Sequence, residues 1–253
     1  MSRTAIDKTR REIAFRFHFS HEPPTSALVI VDMQNYLALK DFGVAAIMEM
    51  IRPGSTTYYF QRLSGVVIPA IRKLLQFFRS HNLTRIYLAN GPETHDASDM
   101  NPILREQFRR VEQETGLPRI FPVGTFGNRI VDSIAPEPGE LLVNKKSQGA
   151  FSASILDTVL RNLGIESLFL GGVITEGCVE STAREAFNRG YKTVVVDDAC
   201  ATYLPEAHGA SLNAFASMCG EVMLADDVIG ILTVSSDVLG AATPPPAGIL
   251  PVD

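Results

Sequence analysis

Cysteine is scarce in this chain, and its scarcity removes whole classes of protein. Cys178, Cys200 and Cys219 are its three cysteines in 253 residues. They are too few and too irregularly spaced for a disulfide framework, and no Cys-x-x-Cys pair marks a structural zinc site. A block of Lys or Arg is also missing. With a net charge of -5, nothing in the pattern offers a surface to nucleic acid or to an anionic membrane. No apolar run is long enough to cross a bilayer, and Met1 to Glu12 lacks the apolar core of a secretory signal. Internal repeats are absent. The expectation is a cytoplasmic protein that handles a small molecule.

What is present is a regular alternation of short apolar runs with amphipathic stretches, the pattern of a parallel sheet with crossover helices. Strands are predicted over Ala27 to Asp32, Arg85 to Ala89, Leu141 to Asn144, Ser167 to Val173, Thr193 to Asp197 and Val222 to Ala225. Helices are predicted over Val66 to His81, Pro102 to Glu114, Ser154 to Leu163, Glu176 to Arg189 and Pro205 to Cys219. The fold class that follows is α/β, a three-layer α/β/α sandwich around a six-stranded, mostly parallel sheet. Residues 26–232 would form one domain, with a polar arm over 1–25 and a Pro-rich tail over 233–253. Ile47 to Leu63, with Met48, Met50, Tyr58, Tyr59 and Phe60, reads as a long apolar loop, a candidate lid or subunit contact.

Open parallel sheets gather ligands at the carboxyl ends of their strands. Three chemically capable residues stand there: Asp32 after the first strand, Lys145 after the third and Cys178 after the fourth. Cys178 falls at a strand-to-helix junction, in the expected first turn of a helix. Unpaired N–H groups and the positive end of the helix dipole favour a thiolate there and could bind a developing oxyanion. Taken singly, Asp32 could cap a turn, Lys145 could be a solvated surface lysine and Cys178 a small packing residue.

Three segments taken together, Ala27 to Asn35, Val143 to Phe151 and Gly171 to Ala199, resemble the isochorismatase-like cysteine hydrolases. That family includes nicotinamidases, N-carbamoylsarcosine amidohydrolase and ureidoacrylate and biuret hydrolases. The resemblance implies a Cys-Asp-Lys triad of Cys178, Asp32 and Lys145, in which Asp32 moves the proton and Lys145 supplies fixed charge. It prefers Lys145 to Lys146 because the family's lysine stands six residues before the phenylalanine here numbered Phe151. Strand alternation, independently, points Lys146 the other way. It further implies a cis peptide at Val173-Ile174 and an oxyanion hole made by the backbone N–H groups of Ile174 and Cys178.

A retained cysteine favours cleavage of a carbon–nitrogen bond through a thioester or thiocarbamate, with release of ammonia or amine and no cofactor. The alternatives are a vinyl ether hydrolase of the isochorismatase type, a nicotinamidase, or a non-catalytic binding relative. Nicotinamidases of this family hold a metal through an Asp-x-His pair, which the run Tyr87 to Asp96 does not reproduce, so no metal is expected. Gln34, Asn35, Tyr36, Phe151 and Tyr203 are the candidate substrate-binding residues. The resemblance also implies a homodimer or homotetramer.

Overall fold

Every residue of strand β1, Ser26–Val31, is buried. A continuous apolar run is what a strand covered on both faces requires, and β1 sits near the middle of the sheet. The computed structural model describes residues 17–152 and 154–242, with side chains as far as residue 234. The remaining strands are β2 (Thr84–Asn90), β3 (Leu141–Lys145), β4 (Ser167–Val173), β5 (Lys192–Ala201) and β6 (Glu221–Met223). They form one six-stranded sheet in the order β3-β2-β1-β4-β5-β6. Each neighbouring pair is parallel, so the expected mostly parallel sheet is parallel throughout.

The helices are α1 (Asn35–Ala38), α2 (Val44–Ile51), α3 (Thr57–Arg62), α4 (Ile68–Ser80), α5 (Pro102–Thr115), α6 (Leu156–Asn162), α7 (Glu180–Asn188), α8 (Pro205–Met218) and α9 (Ala225–Ala242). Alternation along β1 divides them into two layers. Leu28 and Ile30 join a core with Ile71, Leu74 and Phe78 of α4 and Val228 and Leu232 of α9. Ala27, Val29 and Val31 face the opposite way and join Leu156 and Leu160 of α6, Ala183 and Ala186 of α7, and Leu212 and Phe215 of α8. Burying one such aliphatic side chain contributes about 1.5–3 kcal/mol. Two layers are therefore needed to cover a sheet with no wet face.

Close approach of β1 and β4 depends on Gly172, whose φ is +130°. A Cβ at this position would lie 2.0 Å from the carbonyl oxygen of Val31, so no other residue fits without parting the two strands. At the opposite end of the sheet, residues 17–25 are tied down through His21. Its Nδ1 lies 3.0 Å from Ser167 Oγ and its Nε2 3.0 Å from Glu221 Oε2, linking the starts of β4 and β6.

Two expectations change. Ile47 to Leu63 is not a loop: α2 ends at Ile51, and from Thr57 a helical path runs through α3 and a π turn at Leu63–Val67 directly into α4. Tyr59, Leu63 and Val67 are buried at four-residue spacing along it. The π turn offsets the hydrogen-bond ladder just before Pro69, which has no N–H to give to it. The last helix continues to Ala242, past the expected domain end at 232. Residues 1–16 of the expected arm and 243–253 of the expected tail lie outside the described residues.

Candidate active site

Asp32 is the first residue beyond β1. Its φ of +51° swings the chain off the strand, a conformation Asp tolerates better than most residues. The turn is fixed by two backbone hydrogen bonds, Asp32 N to Leu88 O at 3.0 Å and Gln34 N to Asp32 O at 2.7 Å. The carboxylate is wholly buried and meets the equally buried Lys145 at the end of β3, with Nζ 2.8 Å from Oδ2. Lys145 Nζ also donates to Ser147 O at 2.9 Å. Lys146 turns outward, to Asp99 at 3.1 Å and Glu93 at 3.4 Å.

Cys178 completes the group. The chain leaves β4 through a cis peptide at Val173-Ile174 and enters a π turn at Thr175–Val179, in which Gly177 is kinked to φ -102°, ψ -105°. The regular helix α7 starts only at Glu180, so Cys178 lies before it and not in its first turn as expected. Gly177 N and Val179 N both donate to Ile174 O, at 3.0 and 3.3 Å. The Ile174 N–H, by contrast, has no acceptor among the described residues.

Charges in this cluster govern one another. Burial raises the pKa of Asp32, against the pull of Lys145 and the Cys178 thiol. Burial is the largest influence on Lys145 and would lower it, but Asp32 and Cys178, through charge and hydrogen bonds together, outweigh it, and the ammonium is favoured. Cys178 keeps part of its surface open. Even so, its dense surroundings and the Asp32 carboxylate push the thiol up to about 12, with Lys145 only partly compensating. This corrects the expectation of a resting thiolate: proximity to a carboxylate outweighs the lysine. The cluster is an ion pair beside a neutral thiol, with a carboxyl group of raised pKa next to that thiol.

A second network, largely buried, holds the turn that carries Cys178. Thr175 Oγ1 lies 2.9 Å from His208 Nδ1, and His208 Nε2 lies 2.8 Å from Asp197 Oδ1. Arg62 Nη2 meets the same carboxylate oxygen at 3.0 Å, and its Nε donates to Cys200 O at 2.9 Å. The chain Arg62, Asp197, His208, Thr175 thus pins the turn to β5 and to α3.

The other sequence candidates separate into two groups. Gln34 is spent on the backbone: its amide donates to Asn90 O at 3.1 Å and Asn128 O at 2.7 Å and accepts from Asn90 N at 2.7 Å. Asn35 Nδ2 donates to Phe126 O at 2.9 Å. The ring of Phe151 packs 5.6 Å from Tyr191 and under Arg189, and its N–H is held by Glu185 at 2.8 Å. These three position loops. Of the other two, Tyr36 is the one within electrostatic reach of Asp32 and Cys178. Burial keeps the Tyr36 phenol protonated, and its hydroxyl feels Asp32, Arg119 and Cys178. Tyr203 stacks on Tyr59 at 4.4 Å, with its buried hydroxyl unbonded among the described residues.

Arg119 was not singled out by the sequence, where it is one loop arginine after a proline with no motif around it. Its guanidinium lies 4.0 Å over Phe108 and 5.6 Å from the Tyr36 ring. Among the described residues no three His, Cys, Asp or Glu side chains cluster as metal ligands, and no helix is long and apolar enough to cross a membrane.

Comparison with known proteins adds descent to geometry. The Isochorismatase domain model matches residues 26–227. Ureidoacrylate amidohydrolase RutB of Enterobacter sp. (strain 638) is 32% identical over 191 residues, covering 73% of this chain and 78% of the relative. A cysteine hydrolase from Pseudomonas syringae pv. phaseolicola 1448A shares the fold, with TM-score 0.72 and 24% identity over 87% of this chain and 98% of its own. An N-carbamoylsarcosine amidase from Thermoplasma acidophilum superposes with TM-score 0.56 and 25% identity, covering 80% of this chain and 97% of its own. A family model spanning most of the chain, a relative at this identity and an all-parallel six-stranded sheet agree: the chain belongs to the isochorismatase-like hydrolases.

Proposed function

We propose that the protein is a cysteine amidohydrolase that cleaves a carbon–nitrogen bond of a small amide, carbamoyl or ureido compound. The observation that carries this reading is the buried Asp32–Lys145 pair beside Cys178, assembled from the ends of three strands. The likeness to a ureidoacrylate amidohydrolase and an N-carbamoylsarcosine amidase supports it.

In this mechanism Asp32 takes the thiol proton as sulfur attacks the substrate carbonyl carbon, so a free thiolate need not accumulate. The carbonyl oxygen becomes an oxyanion received by the N–H groups of Ile174 and Cys178. Each such donor typically contributes a few kcal/mol to the transition state. Collapse breaks the C–N bond, and the protonated Asp32 returns its proton to the nitrogen, which leaves as ammonia or amine. Water then attacks the thioester or thiocarbamate, giving its proton to Asp32. Sulfur leaves as a thiol, and the acid or carbamate departs. Lys145 keeps its charge throughout and holds Asp32 ionised between proton transfers.

The test is ammonia release from biuret, ureidoacrylate-like acids, N-carbamoyl amino acids, nicotinamide and simple aliphatic amides, with Cys178→Ala in parallel. Release from at least one carbamoyl or ureido compound, lost in the variant, is the expected result. Release that survives Cys178→Ala would overturn the thiol mechanism. No release from any substrate would overturn the amide reading and leave ether hydrolysis to be assayed.

A further inference from the structure

The ammonium of Lys145 takes its direction from the chain that follows β3. Ser147 O accepts from Lys145 Nζ at 2.9 Å, and Ser147 Oγ donates to Gly149 O at 3.0 Å. The carbonyl that steadies the lysine therefore depends on where residues 147–151 lie. One side chain ties that run to α7, the helix that leaves the Cys178 turn. Glu185 accepts from Phe151 N through Oε2 at 2.8 Å and from Ser152 Oγ through Oε1. Hydrogen bonds to an ionised carboxylate are roughly twice as strong as neutral ones.

Gly149 makes room for this contact. A Cβ there would lie 2.5 Å from Glu185 Cδ and Oε2, yet Gly149 is not among the glycines with positive φ. The glycine serves the approach of the carboxylate, and the path of the chain does not require it. The contacts then close a ring: Cys178 leads through α7 to Glu185, Glu185 to Phe151, the turn to Ser147, and Ser147 to Lys145 beside Asp32 and Cys178.

We propose that Glu185 is a positioning residue for the reaction: by fixing residues 147–151 to the nucleophile's own helix, it sets Lys145 against Asp32 and Cys178. This rests on the amidohydrolase reading above and adds a residue to it. A lysine ammonium is a compact charge on a flexible stem, with three donors and no fixed plane. Spending one donor on a carbonyl held in place leaves the others for the carboxylate and the sulfur. Glu185 takes no part in making or breaking bonds.

The experiment measures kcat, KM and the pH dependence of kcat/KM for a substrate whose cleavage by wild type requires Cys178. The variants are Glu185→Ala, Glu185→Gln and Gly149→Ala, with Arg189→Ala as a packing control. Glu185→Ala should lower kcat about ten- to a hundredfold, the scale of a misplacement of about 1 Å, with KM within about threefold. Glu185→Gln should stay within about threefold of wild type, because its amide oxygen accepts from Phe151 N and its NH2 donates to the Ser152 hydroxyl, which can reverse its role. Gly149→Ala should reproduce the Glu185→Ala loss by pushing the carboxylate aside, and it decides the matter if Glu185→Ala does not fold. Arg189 packs over the Phe151 ring at 5.0 Å and donates to Glu185 O at 3.1 Å, so its loss loosens the same corner without freeing Phe151 N, and kcat should hold.

The pH profile separates positioning from charge. Asp32 is faced by Lys145 from β3, Cys178 from its turn and Tyr36 from α1, and Lys145 is the one cation among them. A slack lysine holds Asp32 ionised less well, so the acid limb should move to higher pH in Glu185→Ala and Gly149→Ala. Loss of the Glu185 charge acting through space would move it to lower pH, in Glu185→Gln as well. An acid limb that stays or falls in Glu185→Ala, equal loss in Glu185→Gln or Arg189→Ala, or full activity in Glu185→Ala or Gly149→Ala each overturns the positioning role and leaves the amidohydrolase intact. Absence of Cys178-dependent cleavage by wild type overturns both readings.

Discussion

Replacing Lys145 by Met removes the charge that accompanies Asp32 while keeping an unbranched side chain in the same space. At 2.8 Å the pair's attraction is about 6 kcal/mol with an effective dielectric constant near 20. The carboxylate, fully buried, cannot recover that from water. It escapes by binding a proton. Holding Asp32 neutral at pH 7.5, against an ordinary value of 3.8, costs about 5 kcal/mol, and at pH 5 only about 1.6 kcal/mol. The sign follows from proton counting: the folded variant keeps a proton that the unfolded chain has released, so stability falls as pH rises. Lys145→Met should therefore be destabilised relative to wild type by about 3–5 kcal/mol at pH 7.5 and regain roughly 3 kcal/mol by pH 5. The double variant Asp32→Asn, Lys145→Met should lose this pH dependence and recover most of the stability, while remaining inactive. Urea denaturation of the three variants at both pH values is the assay. A Lys145→Met penalty that stays constant from pH 7.5 to 5 would refute the claim that the lysine's role is to carry the charge of a buried carboxylate.

Other outcomes follow from the same structure. With the thiol pushed up to about 12, alkylation of Cys178 by iodoacetamide should be at least about a hundredfold slower at pH 7.5 than that of a peptide thiol, and should still be rising at pH 10. Site-resolved mass spectrometry reads it, and a plateau near neutrality would mean a resting thiolate. Glu140 has a side chain only 1% exposed and is held by Arg79 and Arg85, each at 2.9 Å. Burial opposes ionisation, but these partners bring its pKa down to about 2 from 4.5. Its contribution, about 3 kcal/mol, is complete above pH 4.5 and disappears toward pH 2. Glu140→Gln should cost that much at pH 7 and flatten acid unfolding in that window. Gly172→Ala should yield no soluble folded protein, because its Cβ meets backbone at 2.0 Å, whereas Gly230→Ala, with nothing within 4 Å, should stabilise α9 by about 0.5–1 kcal/mol in thermal melts. His208→Ala should lower kcat with little change in KM, because it releases Thr175 and the nucleophile turn without touching substrate.

The sheet was legible in the sequence because its strands are continuous apolar runs that need no partner to be recognised. Ser167 to Val173 matches at both ends, and the others shift by a few residues where polar ladder positions such as Thr84 or Lys192 carry no hydrophobic signal. The segment from Ile47 to Leu63 was misread because eight- and six-residue helices hold too few turns to establish a period, and Pro53-Gly54 between them reads as loop. Asp32, Lys145 and Cys178 were visible through their strand ends, and the structure brings these three together. The nature of the nucleophile's turn was not visible, since a π turn and an α-helix share their apolar spacing over five residues. Nor was the thiol's protonation, which depends on a carboxylate 146 positions away in sequence. Gln34 was named a substrate-binding candidate because nothing local reveals that Asn90 and Asn128 will use its amide. Arg119 was passed over because its stacking on Phe108 and Tyr36 is a property of the folded chain alone.

The pairing of β1 with β4 also sets a timetable for synthesis. Ser26 lies opposite Ser167, so β1 lacks its neighbour on that side until about 140 further residues have been added. At roughly 5–20 residues per second that interval is on the order of 7–30 s. Throughout it a mostly apolar strand, which the finished protein never shows to water, has at least one edge open and both faces incompletely covered. Ribosome-bound chains halted shortly before residue 167 should therefore be the species most dependent on chaperones, and the most exposed to pairing with a neighbouring nascent chain.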